Sequence, residues 1–355
     1  MINIAFIGAG GISKPHAFAL AALPFYYQDA PKFRKIAVAS RNPTAKAEFT
    51  QSLGFEETIS HEELWQREDI DTVYILGPNV VHFAHLQQVL AMKNIKRVYV
   101  EKPLCANAEE EQEIEKIIAN PPKGVHFQVG FQFLQMPAIQ KALGLWKSED
   151  FGNALHFRFV YKHSDYLDKA YRDKRQNRLV PAPEGGAIAD LGSHAFSLLL
   201  AFIGNEVEVV NALHSGNYED VPKHSDLYAE VFLKDKKSKA IGTLVASRVS
   251  VGTGDLLEFE ISGTKGAIRF NTEKPDFYTY HLKGQTEGWV EVPCGSEYES
   301  VTSFPSKHVP GGWLRALIHA HYLFLSGSQS SEFLPGLAHG LEVQNLIRKT
   351  AKAFR

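Results

Sequence analysis

The chain has 355 residues, 44% hydrophobic and 22% charged, the balance of a globular protein too long for one core, so two domains are expected. Its net charge of −2 supplies no general basic surface for nucleic acid or for an anionic membrane. No apolar run reaches the length of a membrane span, and Cys105 and Cys294 form neither a metal spacing nor a disulfide framework. With a strand already in progress at Ile2 and no signal peptide before it, a cytoplasmic protein is expected.

Ile2 to Ile7 is a nearly continuous apolar run, the pattern of a parallel strand covered on both faces. Gly8-Ala9-Gly10-Gly11-Ile12-Ser13 follows at once, and a helical pattern then continues to Leu23. Strand, glycine turn and helix in that order are the context a dinucleotide site requires. Gly8 suits the tight turn, and Gly10 lets the backbone approach a diphosphate at the helix N-terminus. Gly8, Gly10, Gly11 and Ile12 are therefore candidate cofactor-binding positions, with Ser13 where a third glycine often stands. The second strand, Lys35 to Ser40, ends in Ser40-Arg41-Asn42, without the carboxylate that would hold a ribose 2′-hydroxyl. Arg41 could meet a 2′-phosphate, so NADP is preferred over NAD; the alternative is NAD with Arg41 solvated or stacked on adenine.

Further strands are expected at Thr58-Ile59, Thr72 to Leu76, Arg97 to Val100 and Val125 to Val129. Helices alternate with them over Thr44 to Leu53, from Ser60-His61-Glu62-Glu63 through Trp65, over Val81 to Met92, and from Asn107 to Ala119. Such alternation argues a doubly wound parallel sheet, whose ligands sit outside the carboxyl ends of its strands. Gly8 to Ser13, Pro78-Asn79 and Glu101-Lys102-Pro103 all fall on that edge. A carboxylate and an ammonium at the tip of a buried strand are solvated or placed for chemistry, and the convergence favours chemistry.

From about residue 150 the period changes to two. Seven further strand candidates lie between Glu206 and Val292, separated by Gly- and Lys-rich turns. Gly185-Gly186-Ala187-Ile188-Ala189-Asp190-Leu191-Gly192-Ser193-His194 then opens an apolar helix. On a helix Asp190 and His194 share a face, and a carboxylate beside an imidazole can orient it for acid/base work. A structural pair closing a helix end is the alternative; no ligand cluster accompanies it, so no metal is expected. Two helices, Trp313 to Leu325 and Leu334 to Phe354, close the chain. The expected architecture is an α/β Rossmann domain over residues 1–123. An α+β domain over 124–355 follows it, carrying a large, mostly antiparallel open sheet, with the C-terminal helix able to pack back on the first domain.

These motifs, with Gly77-Pro78-Asn79-Val80-Val81-His82, resemble the Gfo/Idh/MocA family of NAD(P)-dependent sugar and cyclitol oxidoreductases over essentially the whole chain. The resemblance implies that Lys102 polarises the reacting oxygen while His194, beside Asp190, exchanges the hydroxyl proton. It implies that Glu101 binds the nicotinamide ribose, that Pro78, Asn79 and His82 line the cofactor cleft, and that Lys102-Pro103 is cis. Arg172, in the pair Tyr171-Arg172, is a substrate candidate by the same resemblance, and Leu134 stands where relatives often carry arginine. The expected partner is a sugar or polyol, and the expected assembly a homodimer or homotetramer through the open sheet face. Two other readings share this fold: a glycosidase using transient redox with NAD, and a non-catalytic sugar or nucleotide sensor.

Overall fold

The computed structural model describes residues 1–148, 151–179, 185–216, 218–295, 311–327 and 332–354, which fall into two compact units. The first unit holds Met1–Gln135 and Trp313–Ala338; the second holds Met136–Ser296 and His339–Arg355.

The first unit starts with β1 (Ile2–Ile7), α1 (Ser13–Tyr26), β2 (Phe33–Ala39), α2 (Pro43–Ser52), β3 (Glu57–Ile59) and α3 (His61–Trp65). It continues with β4 (Thr72–Ile75), α4 (His82–Ala91), β5 (Arg97–Val100), α5 (Ala108–Ala119) and β6 (His126–Val129). All six strands are parallel, in the order β3-β2-β1-β4-β5-β6. The order reverses between β1 and β4, and their carboxyl ends, Gly8 and Gly77, meet there. A Cβ on Gly8 would stand 3.1 Å from the Gly77 nitrogen, and the φ of Gly8 is +115°. Burial on both faces explains why β4 reads Thr-Val-Tyr-Ile with no alternation. The helix starts are chemical: Ser60 and Glu63 form a capping box on α3, and Asn107 accepts from the Glu110 amide to cap α5.

The sheet does not stop at residue 123. β6 pairs with β5, so the parallel sheet extends through Val129 and the unit through Gln135. The helix that joins this unit is also not the last one. Leu317, Ile318, Tyr322 and Phe324, from the helix Gly312–Ser326, pack with Phe6, Leu20 and Tyr74 in one buried cluster.

The second unit adds α6 (Pro137–Trp146), β7 (Ala154–Lys162), α7 (Lys169–Lys174), a π-helical turn at Ile188–Gly192 and α8 (Ser193–Ile203). The strands β8 (Val207–Ser215), β9 (Tyr228–Asp235), β10 (Ile241–Ser247), β11 (Leu256–Gly263) and β12 (Gly266–Asn271) follow. After β13 (Phe277–Leu282) and β14 (Val290–Pro293) come α9, the helix Gly312–Ser326 of the first unit, and α10 (Leu337–Ala353). The eight strands run β14-β13-β12-β11-β7-β10-β9-β8, antiparallel except for β10 against β7. Period two appears as burial: Phe157, Phe159 and Tyr161 face inward, whereas His156 and Arg158 face out. The sequence reading omitted α6 and the short α7; Pro137 at the N1 position of α6 was its start signal.

Candidate active site

The glycine turn joins β1 to α1. The Ser13 hydroxyl donates to the Gly8 carbonyl at 2.8 Å, closing the turn onto α1. No side chain caps the N-terminus of α1, and a Cβ on Gly10 or Gly11 would meet nothing within 4 Å. Bare, exposed backbone at a helix N-terminus fits the diphosphate of a dinucleotide, since a side chain there would fill that space. Ile12 stands on the same turn, 39% exposed. At the end of β2 the Ser40 hydroxyl accepts from the Asn42 amide, and Asn42 caps α2 by accepting from the Ala45 amide. Arg41 projects exposed from that loop, near enough that its charge helps lower the pKa of His61, after burial, the larger cause.

At the end of β5, Glu101 is almost buried. Its Oε1 lies 2.9 Å from Nε2 of His16, and its Oε2 accepts from the Lys102 amide at 3.1 Å. Gly130 makes room for it, because a Cβ there would come within 2.5 Å of Oε1. Lys102 is half-buried, and the bond to Pro103 is cis. Pro78 leads a short 3-10 turn on which Asn79 is buried. His82 is 1% exposed, its ring nitrogens 2.8 Å from the Pro103 carbonyl and 2.7 Å from the Gly77 carbonyl. It ties the two strand-end loops together instead of presenting its ring to a ligand. Burial lowers its pKa, against the pull of the two carbonyls.

In the second unit Asp190 lies on the π-helical turn and His194 on the first turn of α8. A single π turn inside a helix often accompanies a functional position. The Asp190 carboxylate accepts from Arg178 at 2.8 Å on Oδ1 and from Arg248 at 2.9 Å on Oδ2. Sequence spacing pointed to His194 as its partner, and no local signal announced either arginine. Arg248 comes from just after β10, 58 residues on, with no exposed surface and its guanidinium 4.5 Å from the Tyr166 ring centre. His194 is 5% exposed and meets the Tyr161 ring edge-on at 5.8 Å. Arg172, expected at the substrate, is 4% exposed. It forms a two-point pair with Asp220 at 3.0 Å, donates to the carbonyls of Tyr166 and Leu167, and lies 3.9 Å over Tyr218. Its donors tie Tyr166 and Leu167 to Asp220, which argues against a substrate contact. Beneath Gly186, the buried Asp226 accepts from the Ile188 amide at the start of the turn. Among the described residues no cluster of His, Cys, Asp and Glu could hold a metal ion.

A parallel nucleotide-binding sheet with a lysine at a strand end, followed by a mostly antiparallel second unit, defines a two-part NAD(P)-dependent oxidoreductase. The chain belongs to the Gfo/Idh/MocA family. Residues 2–131 match that family's model of an NAD-binding Rossmann oxidoreductase domain, and residues 139–269 match its C-terminal domain. Levoglucosan dehydrogenase of Pseudarthrobacter phenanthrenivorans is 26% identical, over 96% of this chain and 93% of its own length. Glucose-6-phosphate 3-dehydrogenase of Bacillus subtilis is 24% identical, over 98% of this chain and 95% of its own. A structure of levoglucosan dehydrogenase in complex with NADH and L-sorbose superposes with a TM-score of 0.81 at 24% identity, covering 99% of this chain and 96% of that one.

Proposed function

We propose that the protein transfers a hydride between NAD(P) and a carbinol or carbonyl carbon of a sugar, inositol or related polyol. The observation that carries this reading is Lys102, held beside the fixed carboxylate of Glu101 on the same sheet edge as the open glycine turn. The named activities of the two relatives above, both sugar dehydrogenases, support the substrate class.

A bound nicotinamide dinucleotide supplies the hydride acceptor or donor. The bare turn from Gly8 to Ile12 receives its diphosphate, and Asn79 and Glu101 its nicotinamide half. Lys102 places an ammonium where negative charge develops on the substrate oxygen. His194 takes or returns the hydroxyl proton. Asp190, fixed by Arg178 and Arg248, keeps a carboxylate on the turn just before His194. Arg41 takes a 2′-phosphate, so NADP is the preferred cofactor.

The protein acts as a homodimer or homotetramer. Leu213, Phe232 and Ile241, 50%, 40% and 65% exposed, share one face of the second sheet by strand register. Charged pairs such as Arg158–Glu258 and Lys274–Glu291 flank them on the same sheet, a pattern suited to a second copy of itself.

The test is a screen of free sugars, inositols and sugar phosphates with NAD and NADP, read by nicotinamide absorbance. A steady absorbance change with a free polyol is expected; glycoside cleavage with no net change would mark the transient-redox glycosidase instead. On the substrate found, Lys102→Ala and His194→Ala should each lower turnover on the order of a hundredfold or more, with cofactor binding largely kept. Full activity in either variant overturns its role.

A further inference from the structure

Three side chains of the first unit, His16, His321 and Tyr74, form a buried line behind Glu101. His16 Nε2 lies 2.9 Å from Glu101 Oε1, His16 Nδ1 lies 2.9 Å from His321 Nε2, and His321 Nδ1 lies 3.5 Å from the Tyr74 hydroxyl. Both imidazoles have no exposed surface. Aromatic rings enclose them: Tyr99 stands edge-on to His16 at 5.2 Å and to His321 at 5.4 Å, Phe6 lies 6.4 Å from His16, and Tyr74 lies 5.1 Å from His321.

Burial holds His321 well below the usual histidine range, with His16 adding to the effect. A carboxylate only accepts, so His16 carries a proton on Nε2 and donates it to Glu101. His16 Nδ1 and His321 Nε2 share the next contact, and at the far end burial keeps the Tyr74 hydroxyl protonated by raising its pKa well above the usual value.

Glu101 is fixed from its other sides as well. Its Oε2 takes the Lys102 amide, and its Oε1 lies over Gly130, where any side chain would collide with it. We infer that His16, backed by His321, is a positioning residue that holds Glu101 in one orientation, as an acceptor, for the nicotinamide ribose. This rests on the assignment of Glu101 to the cofactor made above. His16 is too deeply buried to touch a ligand itself, so its effect should appear in cofactor affinity more than in the chemical step.

The test compares dissociation constants for NAD and NADP, kcat and thermal midpoints in His16→Leu, His16→Gln, His16→Asn, His321→Leu and Glu101→Gln. Glutamine can place an amide nitrogen where Nε2 stands, whereas asparagine reaches only the Nδ1 side. His16→Leu and His16→Asn should weaken cofactor binding by about tenfold or more, the cost of losing a hydrogen bond to a charged group. His16→Gln should recover most of that loss, and His321→Leu should give a smaller loss of the same sign. If glutamine and asparagine behave alike, or if midpoints fall with affinity unchanged, the inference is overturned and His16 is structural only. If Glu101→Gln leaves cofactor affinity unchanged, the cofactor role of Glu101 fails, and the inference with it. If Glu101→Gln weakens binding and His16→Leu does not, the inference alone fails.

Discussion

The proposed preference for NADP rests on Arg41, whose surroundings allow it to be tested by one substitution. It stands exposed on a loop whose other polar groups are engaged: Ser40 holds the Asn42 amide, and Asn42 caps α2. An arginine that meets a 2′-phosphate gives a charge-assisted, two-point contact that NAD cannot form. Arg41→Ala is expected to raise KM for NADP by about tenfold or more while leaving KM for NAD nearly unchanged. Equal effects on the two cofactors would return Arg41 to the loop surface. Arg172 shows the opposite case. The sequence placed it beside an aromatic residue ahead of the glycines, but its guanidinium is held by Asp220 and two carbonyls. Nothing local distinguishes an arginine that binds a substrate from one that binds an aspartate 48 residues away. Asp190 teaches the same lesson, because its charge partners come from Arg178 and from Arg248 beyond β10.

The helix that carries His194 starts on a buried acid. Asp226, from the loop before β9, accepts from the Ile188 amide, and a Cβ on Gly186 would stand 1.8 Å from its Oδ1. Burial raises the pKa of Asp226 from 3.8 to about 7, outweighing the Ile188 amide and the Arg248 charge that lower it. The folded state therefore keeps this proton where the unfolded chain has released it. Stability from this group is full below the unfolded value and falls as pH rises from about 4 to about 7. Asp226→Asn keeps an acceptor for Ile188 and removes the titration. Its thermal midpoint should change less than the wild type's across that window, with the gap between them widening toward neutral pH. Parallel midpoint curves would show that Asp226 titrates as an ordinary acid. Capping chemistry was legible for α3 and α5, where the cap and its target are three residues apart. It was not legible here, because acid and amide are 38 residues apart.

Across the whole molecule, the exposed face with Leu213, Phe232 and Ile241 belongs to three successive strands, β8, β9 and β10, and register alone assembles it. Phe232→Glu places a charge in the middle of that face and is expected to shift the protein to a smaller species in sizing chromatography coupled to light scattering. An unchanged mass would exclude this face as the interface. Among the described residues no helix is long and apolar enough to cross a membrane. By itself the sequence determined the alternation of strand and helix, the glycine turn, the strand end at Glu101-Lys102 and the period-two region, because each depends on neighbours within a few residues. The continuation of the parallel sheet through β6, the docking of α9 on the first unit, the arginines on Asp190 and the histidine line behind Glu101 were decided only by tertiary structure. Each joins residues from 12 to more than 300 positions apart. Burial then sets their chemistry, by removing the water that would otherwise satisfy a charge and leaving a distant side chain as its partner.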